Sequence, residues 1–285
     1  VTTVADAPVV RDGMPVDEYH DHNSLSSTGA RKLLPPSCPA QFRYDREHPP
    51  LPKREFDFGH AAHKLVLGDG PDIDVLEFDS YQTKAAQQQR DEAYGMDVVP
   101  LLRHEYEQVE AMAAAIRQHP VAGPLFTPGT GIPERSIFWT DKGTGVRCRC
   151  RPDWLKQLPG LTVCVDYKTA KDASPDGFSK AIQTYGYHQQ DAWYLDGLEA
   201  AGLADDGARF LFVVQQKTAP YLITVRELDT QTRDIGRARN ERALRIYADC
   251  QTTGQWPDWT GPVDTIPTIS LPTWAAIREA EEYLP

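Results

Sequence analysis

Asp153, Asp166 and Lys168 are the residues of this chain whose types and spacing could do chemistry. They lie in RPDWLKQLPGLTVCVDYKTAK, residues 151–171. Asp153 ends one β-favouring run, and Asp166 and Lys168 stand two residues apart on the next. On a strand the side-chain period is two, so Asp166 and Lys168 share a face while Leu161, Val163, Val165 and Tyr167 point the other way. One face reads as core and the other as chemistry. Two carboxylates brought together from neighbouring strands could hold a hard, oxygen-seeking cation such as Mg²⁺. A lysine beside them could orient an attacking water and offset charge building on a phosphoryl group. Asp-x-Lys alone is also a common surface ion pair on a half-exposed strand, and that alternative stays open on spacing alone.

The elements that must position these residues follow from the rest of the chain. Residues 1–23 have little periodicity and read as an arm. Ser26 or Ser27 is an N-cap candidate for SSTGARKLL, with prolines at 35, 36 and 39 turning the chain soon after. EFDFGHAAHKLVLGDG (55–70) reads as a helix ended by Gly68 and Gly70, and 84–119 as two helices broken near Gly95 and Pro100. From Glu134 the runs SIFWT, GVRCRCRPDWL and LTVCVDYKT, separated by turn signals, predict an antiparallel meander. A helix over 175–200, strands in ARFLFVVQQ and YLITVREL, and a helix over 229–250 complete the pattern. The expected organisation is an arm (1–23) and one domain (24–285), divided into a helical elaboration (24–130), a core (131–250) and a packed tail (251–285).

Composition narrows the possibilities. A formal charge of −11 and a pI near 5.2 argue against coating nucleic acid by bulk electrostatics. They leave room for clustered carboxylates whose bound cations reverse the local sign where a phosphate must sit. Five cysteines without a framework pattern suit a reducing compartment. Cys148 and Cys150 are one residue apart, whereas a zinc or iron–sulfur site would ask for CxxC pairs. No run approaches the length of a membrane span, and VTTVADAPVVRDG lacks the basic and apolar regions of a signal peptide, so a soluble intracellular protein is expected.

Two helical pairs add candidates. Gly59 and His63 are four apart and share a face, Gly59 allowing close backbone approach and His63 presenting an imidazole to a metal. His60 and His63 could instead form a zinc pair, but no third nitrogen or sulfur ligand declares itself. A lone histidine is also often a hydrogen-bonded structural residue. In YHQQDAWYLDG, Gln190 and Tyr194 are again four apart, on a helix whose Trp193 and Leu195 can pack into the core.

Pro152-Asp153 followed by Asp166-Tyr167-Lys168 resembles the PD-(D/E)xK nuclease signature, and Gln190 with Tyr194 resembles the Q-x-x-x-Y motif of its RecB-type branch. Over most of its length the chain resembles the RecE exonucleases (exodeoxyribonuclease VIII) and their phage relatives. HNSLSSTGARKLL, PAQFRY, FGHAAHKLVL, TKAAQQQRDEA, CRCRPDWL, VDYKTAKDAS and YGYHQQDAWYLDG occur in the family's order. The resemblance implies an α/β, restriction-endonuclease-like core, with a mixed sheet flanked by helices and an N-terminal helical elaboration. It covers the nuclease portion, not the large amino-terminal region of the longest family member. It implies a Mg²⁺-dependent exodeoxyribonuclease, with Mn²⁺ as a substitute, that degrades linear duplex DNA 5′ to 3′. The 3′ single strands left would pass to a RecT-like annealing protein. Asp153 and Asp166 would be metal ligands, His63 a metal-proximal ligand, Lys168 the catalytic lysine, Gln190 and Tyr194 the helix motif, and Glu134 a further candidate for the metal or water shell. A structure-specific or single-strand nuclease is the alternative enzyme, and a non-catalytic DNA-end-binding module the alternative from another class. The intact Asp153, Asp166 and Lys168 set counts against the module. Related nucleases of CRISPR adaptation hold an iron–sulfur cluster on four cysteines. Here only Cys38 precedes the histidine motif and only Cys250 follows the Gln–Tyr motif, so no cluster is expected.

An acidic nuclease that stays on DNA needs a device to do so. The resemblance implies a toroidal homotetramer in the bacterial cytoplasm, the host's if phage-encoded, and a closed ring can turn its few basic surfaces inward. Arg147, Arg149 and Arg151 alternate along the strand that leads to Asp153, so they are expected to form a DNA-binding stripe running toward the metal site. The alternative is that they pair with the surplus carboxylates on the same subunit.

Overall fold

The computed structural model describes residues 7–48, 53–204, 207–260, 266 and 268–284. The amino-terminal part runs β1 (Val9–Arg11), α1 (Val16–Asp21), β2 (Leu25–Ser26), α2 (Ser27–Lys32), α3 (Pro39–Glu47) and α4 (Arg54–Leu67). Next come β3 (Ile73–Leu76), α5 (Lys84–Gly95), β4 (Val99–Leu102), α6 (Arg103–Gln118) and α7 (Ala122–Leu125). The strand-rich part holds β5 (Ile132–Pro133), β6 (Ser136–Thr140), β7 (Arg147–Cys150), β8 (Trp154–Leu158) and β9 (Leu161–Ala170). The chain continues through α8 (Pro175–Tyr185), α9 (Tyr187–Ala200), β10 (Ala208–Gln216), β11 (Ile223–Arg226), α10 (Thr230–Thr253) and α11 (Thr273–Tyr283). This is an α/β fold with mixed sheets flanked by helices.

The expected single meander is split between two sheets. One has the order β1-β6-β7-β2 and the other β11-β10-β9-β8-β5, while β3 and β4 form a small parallel pair. The chain crosses from the first sheet to the second at residues 151–153, between the end of β7 and the start of β8. In the larger sheet β9 runs antiparallel to β8 and parallel to β10, with Asp166 opposite Phe212 and Lys168 opposite Val214. β9 is therefore central and covered on both sides. Its odd positions, Val163, Val165 and Tyr167, pack with Ala61 and Ala62 of α4 and Val109 and Ile116 of α6. Its even position Cys164 packs with Phe210, Phe212, Trp193 of α9 and Ala243 of α10. The face expected to be purely chemical is thus core at Cys164 and turns polar only from Asp166 onward.

Three further expectations change. The helix expected over 175–200 is two helices, because Gly186 at φ +68° takes the left-handed conformation that glycine reaches without a Cβ penalty, ending α8 and opening α9. The described part of the amino-terminal arm is structured: β1 adds an antiparallel edge strand to β6, and Tyr19 of α1 packs with Met14 and Phe138. The described part of the tail packs mainly at its start, where Trp256 stacks on Phe42. Along α11, Ala275 is buried while Trp274, Ile277 and Tyr283 are exposed.

Helix α10 braces α9 from behind. Asp229 caps it by accepting from Thr232 N at 2.8 Å, and Gly236 lets it approach the His188 carbonyl more closely than a Cβ would permit. Asn240 donates to the Gln189 carbonyl at 2.9 Å, and Arg233 pairs with the fully buried Asp191 at 2.5 Å. Among the described residues no helix is long and apolar enough to cross a membrane.

Candidate active site

The crossing between the two sheets creates the site. Asp153 lies at the crossing. Its carbonyl accepts from Glu134 N at 3.2 Å, and its Oδ2 accepts from Tyr167 N at 2.8 Å, so one residue ties the β5–β6 corner to the middle of β9. Glu134 has φ +47°, a left-handed conformation that a non-glycine residue adopts at a cost of about 1–2 kcal/mol. His63 reaches in from α4, with Nδ1 3.6 Å from Asp153 Oδ2. His63, Glu134 and Asp153 each offer a ligand atom, and these atoms all lie within 4.8 Å of one another. The helical spacing put His63 on the correct face, but Gly59 is less constrained than its motif suggested: a Cβ there would meet only Thr169 Oγ1, at 3.9 Å.

Asp166 sits beside this trio in a second set of contacts. Its Oδ1 accepts from Lys168 Nζ at 2.9 Å and from Gln190 Nε2 at 2.5 Å. Its Oδ2 lies 2.7 Å from the same ammonium but is buried without an aligned hydrogen bond. Gln190 comes from α9 and Lys168 from β9, so the helix motif touches the strand motif directly. Lys168 lies 5.0 Å from the centre of the Tyr187 ring. Lys168, Tyr187, Gln190 and Tyr194 line a cleft of about 280 Å³ whose other wall includes Arg31 and Thr28 of α2. Tyr187 was not singled out in the sequence; its position one turn before Gln190 on a tyrosine-rich helix is the signal that could have found it. Behind the site Tyr167 donates to Gln215 Oε1 at 2.6 Å, and Gln215 donates to the Met112 carbonyl at 2.9 Å.

Electrostatics distinguish the roles. Burial, then Asp166, pushes the Asp153 carboxyl up to about 8, against the pull of Lys168 and the Tyr167 amide. Burial and Asp153 push Glu134 up to about 8 although Arg151 Nε is 2.9 Å from its Oε2. Burial, helped by Lys168, holds His63 down at about 4, so its contact with Asp153 at neutral pH is no ion pair and a ring lone pair is available to a metal. Burial also works against the Lys168 ammonium, but Asp166 and Asp153 outweigh it and its pKa lies above the ordinary lysine value. Lys168 is therefore a cation at neutral pH.

This donor set fits a divalent cation. A neutral imidazole and two carboxyls whose ionised forms burial and neighbouring carboxylates disfavour ask for a compensating ion. The structure groups His63 and Asp153 as expected, brings Glu134 in as the third member, and places Asp166 next to them under Lys168 and Gln190. All five cysteines are buried free thiols.

The expected DNA-binding stripe is corrected at Arg149 and Arg151, which are buried, while Arg147 is half-exposed. Arg149 is 8% and Arg151 9% exposed, because Tyr19 of α1 packs over both guanidiniums and against Phe138 of β6. Arg149 donates to the carbonyls of His20 and His22. Arg151 donates to the carbonyls of Glu134 at 3.0 Å and Met14 at 2.7 Å. Arg147 donates to the Ala7 carbonyl at 3.3 Å and to Thr140 Oγ1 at 3.2 Å. The arginines serve their own subunit, mostly through carbonyls rather than the carboxylates that the alternative invoked.

Comparison with known proteins bears on the fold and the family. The chain superposes on a crystal structure of a "Putative exonuclease" from Eubacterium rectale with a TM-score of 0.59 and 11% sequence identity, over 93% of this chain and 98% of the other. At that identity the likeness is one of fold. No curated relative matches the sequence. The family model described as "PDDEXK-like domain of unknown function (DUF3799)" matches residues 31–268, a span that holds His63, Glu134, Asp153, Asp166, Lys168 and Gln190, and the chain belongs to that family.

Proposed function

We propose that the protein is a divalent-metal-dependent deoxyribonuclease that works from the ends of linear duplex DNA. The observation that carries this reading is the trio of a neutral His63 and the carboxyls of Glu134 and Asp153, with Asp166 beside it paired to a charged Lys168 that itself lines a cleft. Membership of a PDDEXK-like family supports it, as does the fold shared with the protein titled "Putative exonuclease".

His63, Glu134, Asp153 and Asp166 would hold the ion. Bound there, Mg²⁺ or Mn²⁺ would lower the pKa of a coordinated water and polarise the phosphoryl oxygens. Lys168, protonated, cannot act as a base; it donates hydrogen bonds that orient the water and meet the charge growing on the phosphoryl group. Gln190 fixes Asp166 by donating to its Oδ1, and Lys168 lies against both of its oxygens, so the carboxylate is held in one orientation beside the site. Tyr187 backs the ammonium and limits its swing.

The finer reading rests on the resemblance to RecE-type exonucleases: 5′-to-3′ polarity, 3′ single strands handed to a RecT-like annealing protein, and a toroidal homotetramer. A time course on linear duplexes labelled at the 5′ or the 3′ end, with and without chelator, tests it. Early release of the 5′ label as mononucleotides, abolished by chelator and absent on closed circles, is expected. Uniform cutting of closed circles would refute the exonuclease reading, and chelator-resistant cutting would refute metal dependence.

A further inference from the structure

The amino-terminal segment does more than cover two arginines. Arg151 Nε donates to the Glu134 backbone carbonyl at 3.0 Å and lies 2.9 Å from its Oε2, so one guanidinium grips both the left-handed backbone and the carboxylate of this ligand. The same guanidinium donates through Nη2 to the Met14 carbonyl at 2.7 Å and stacks 5.2 Å from the centre of the Tyr19 ring. On the other side of Glu134, Arg135 makes a two-pronged pair with Asp12, at 2.6 and 2.8 Å. Arg149 stacks on Tyr19 as well, at 4.9 Å. Asp12, Met14 and Tyr19 all lie within ten residues of one another, and each contacts a residue that flanks Glu134 or precedes Asp153.

We propose that the segment Val9–Asp21 is a strap that sets the site's metal affinity by positioning Glu134 through Arg151 and Arg135. The strained backbone at Glu134 would relax without these grips, and a relaxed backbone carries its carboxylate away from His63 and Asp153. Met14, Tyr19 and Phe138 form a small cluster of their own, so the strap seats on β6 through a contact separate from the two main cores. Its residues touch no ligand atom and are positioning residues. The proposal rests on the metal site assigned above but not on the identity of the substrate.

The test is Mn²⁺ binding to the full chain, measured by calorimetry, with thermal unfolding as the control for folding. Tyr19→Leu removes the stacking surface, Asp12→Ala removes the Arg135 pair from an exposed position, and Tyr19→Phe keeps the ring. Tyr19→Leu and Asp12→Ala are expected to weaken Mn²⁺ binding by about 10–100-fold, as loss of a ligand's supporting partner does elsewhere. Tyr19→Phe should retain affinity. On a Glu134→Gln background Tyr19→Leu should cause no further loss, because both act on the same ligand. Unchanged affinity in the folded Asp12→Ala and Tyr19→Leu proteins, or an equal loss with Glu134→Gln already present, would overturn the strap. If Tyr19→Leu fails to fold, the exposed Asp12→Ala carries the test alone. Wild-type protein that binds Mn²⁺ but leaves DNA intact would refute the nuclease reading while the strap is still judged by affinity; wild-type protein that binds no Mn²⁺ overturns both.

Discussion

Replacing Asp153 by Asn should make the metal-free protein more stable while removing its response to metal. The Asp153 carboxyl is raised from 3.8 to about 8 by burial and by Asp166. Between those two pH values the folded chain holds a proton that the unfolded chain has released, so stability falls as pH rises through the window and levels off above it. Each pH unit costs about 1.4 kcal/mol for a fully displaced group, which sets a ceiling of about 4 kcal/mol at pH 7. Glu134 shares the repulsion, and the two side chains keep 14% and 21% of their exposure, so water and relaxation reduce that figure. An expected gain of about 1–3 kcal/mol remains, or roughly 2–4 °C in Tm per kcal/mol for a chain of this size. Asparagine keeps an oxygen to accept from Tyr167 N, so the local fold survives. Thermal scans at pH 5 and pH 8, with chelator and with saturating Mn²⁺, read all of this. Chelated Asp153→Asn should melt above wild type at pH 8, with the gap narrowing at pH 5, and Mn²⁺ should raise Tm in wild type alone. A chelated variant that melts at or below wild type at pH 8, or that gains as much from Mn²⁺, would refute the reasoning.

Lys168→Ala should leave Mn²⁺ affinity near wild type but lower the maximal cleavage rate by orders of magnitude, since the ammonium acts on water and phosphoryl oxygen; a change in metal affinity with the rate intact would make it structural. Arg233→Ala should destabilise by about 3–5 kcal/mol in urea titrations, because it strands the fully buried Asp191 carboxylate, whereas a loss below about 1 kcal/mol would show that water reaches that pair. Gly236→Ala should lower Tm and cleavage together, as its Cβ would run into the His188 carbonyl and push α9, and with it Gln190, off Asp166; a wild-type Tm would show that α10 can shift freely.

The parts of the site that lie within one element were legible in the sequence. The period-two alternation of LTVCVDYK placed Asp166 and Lys168 together, and four-residue spacing placed His63 and Gln190 on inward faces. The near-continuous apolar run before Asp166 also carried a hint that was read as alternation: a strand buried on both sides needs no polar face, and β9 is parallel to β10 and central. What remained hidden was long-range. The grip of Arg151 on Glu134 spans 17 residues and its bond to Met14 spans 137, and no local pattern reports which carbonyls an alternating arginine will meet. The left-handed backbone at Glu134 was hidden for the same reason, because glutamate does not advertise positive φ as glycine does. Gly186 did advertise its break, yet the helical pattern on either side of it was strong enough to read through.

The central claim is that Glu134, Asp153 and Asp166, with His63, hold a divalent ion beside a protonated Lys168. Crystals soaked in Mn²⁺ and measured at the manganese absorption edge test it most directly. The account predicts one strong anomalous peak within bonding distance of Asp153 and at least one other of these carboxylates, lost in Asp153→Asn. A peak elsewhere on the acidic surface, with none at Asp153, would contradict it.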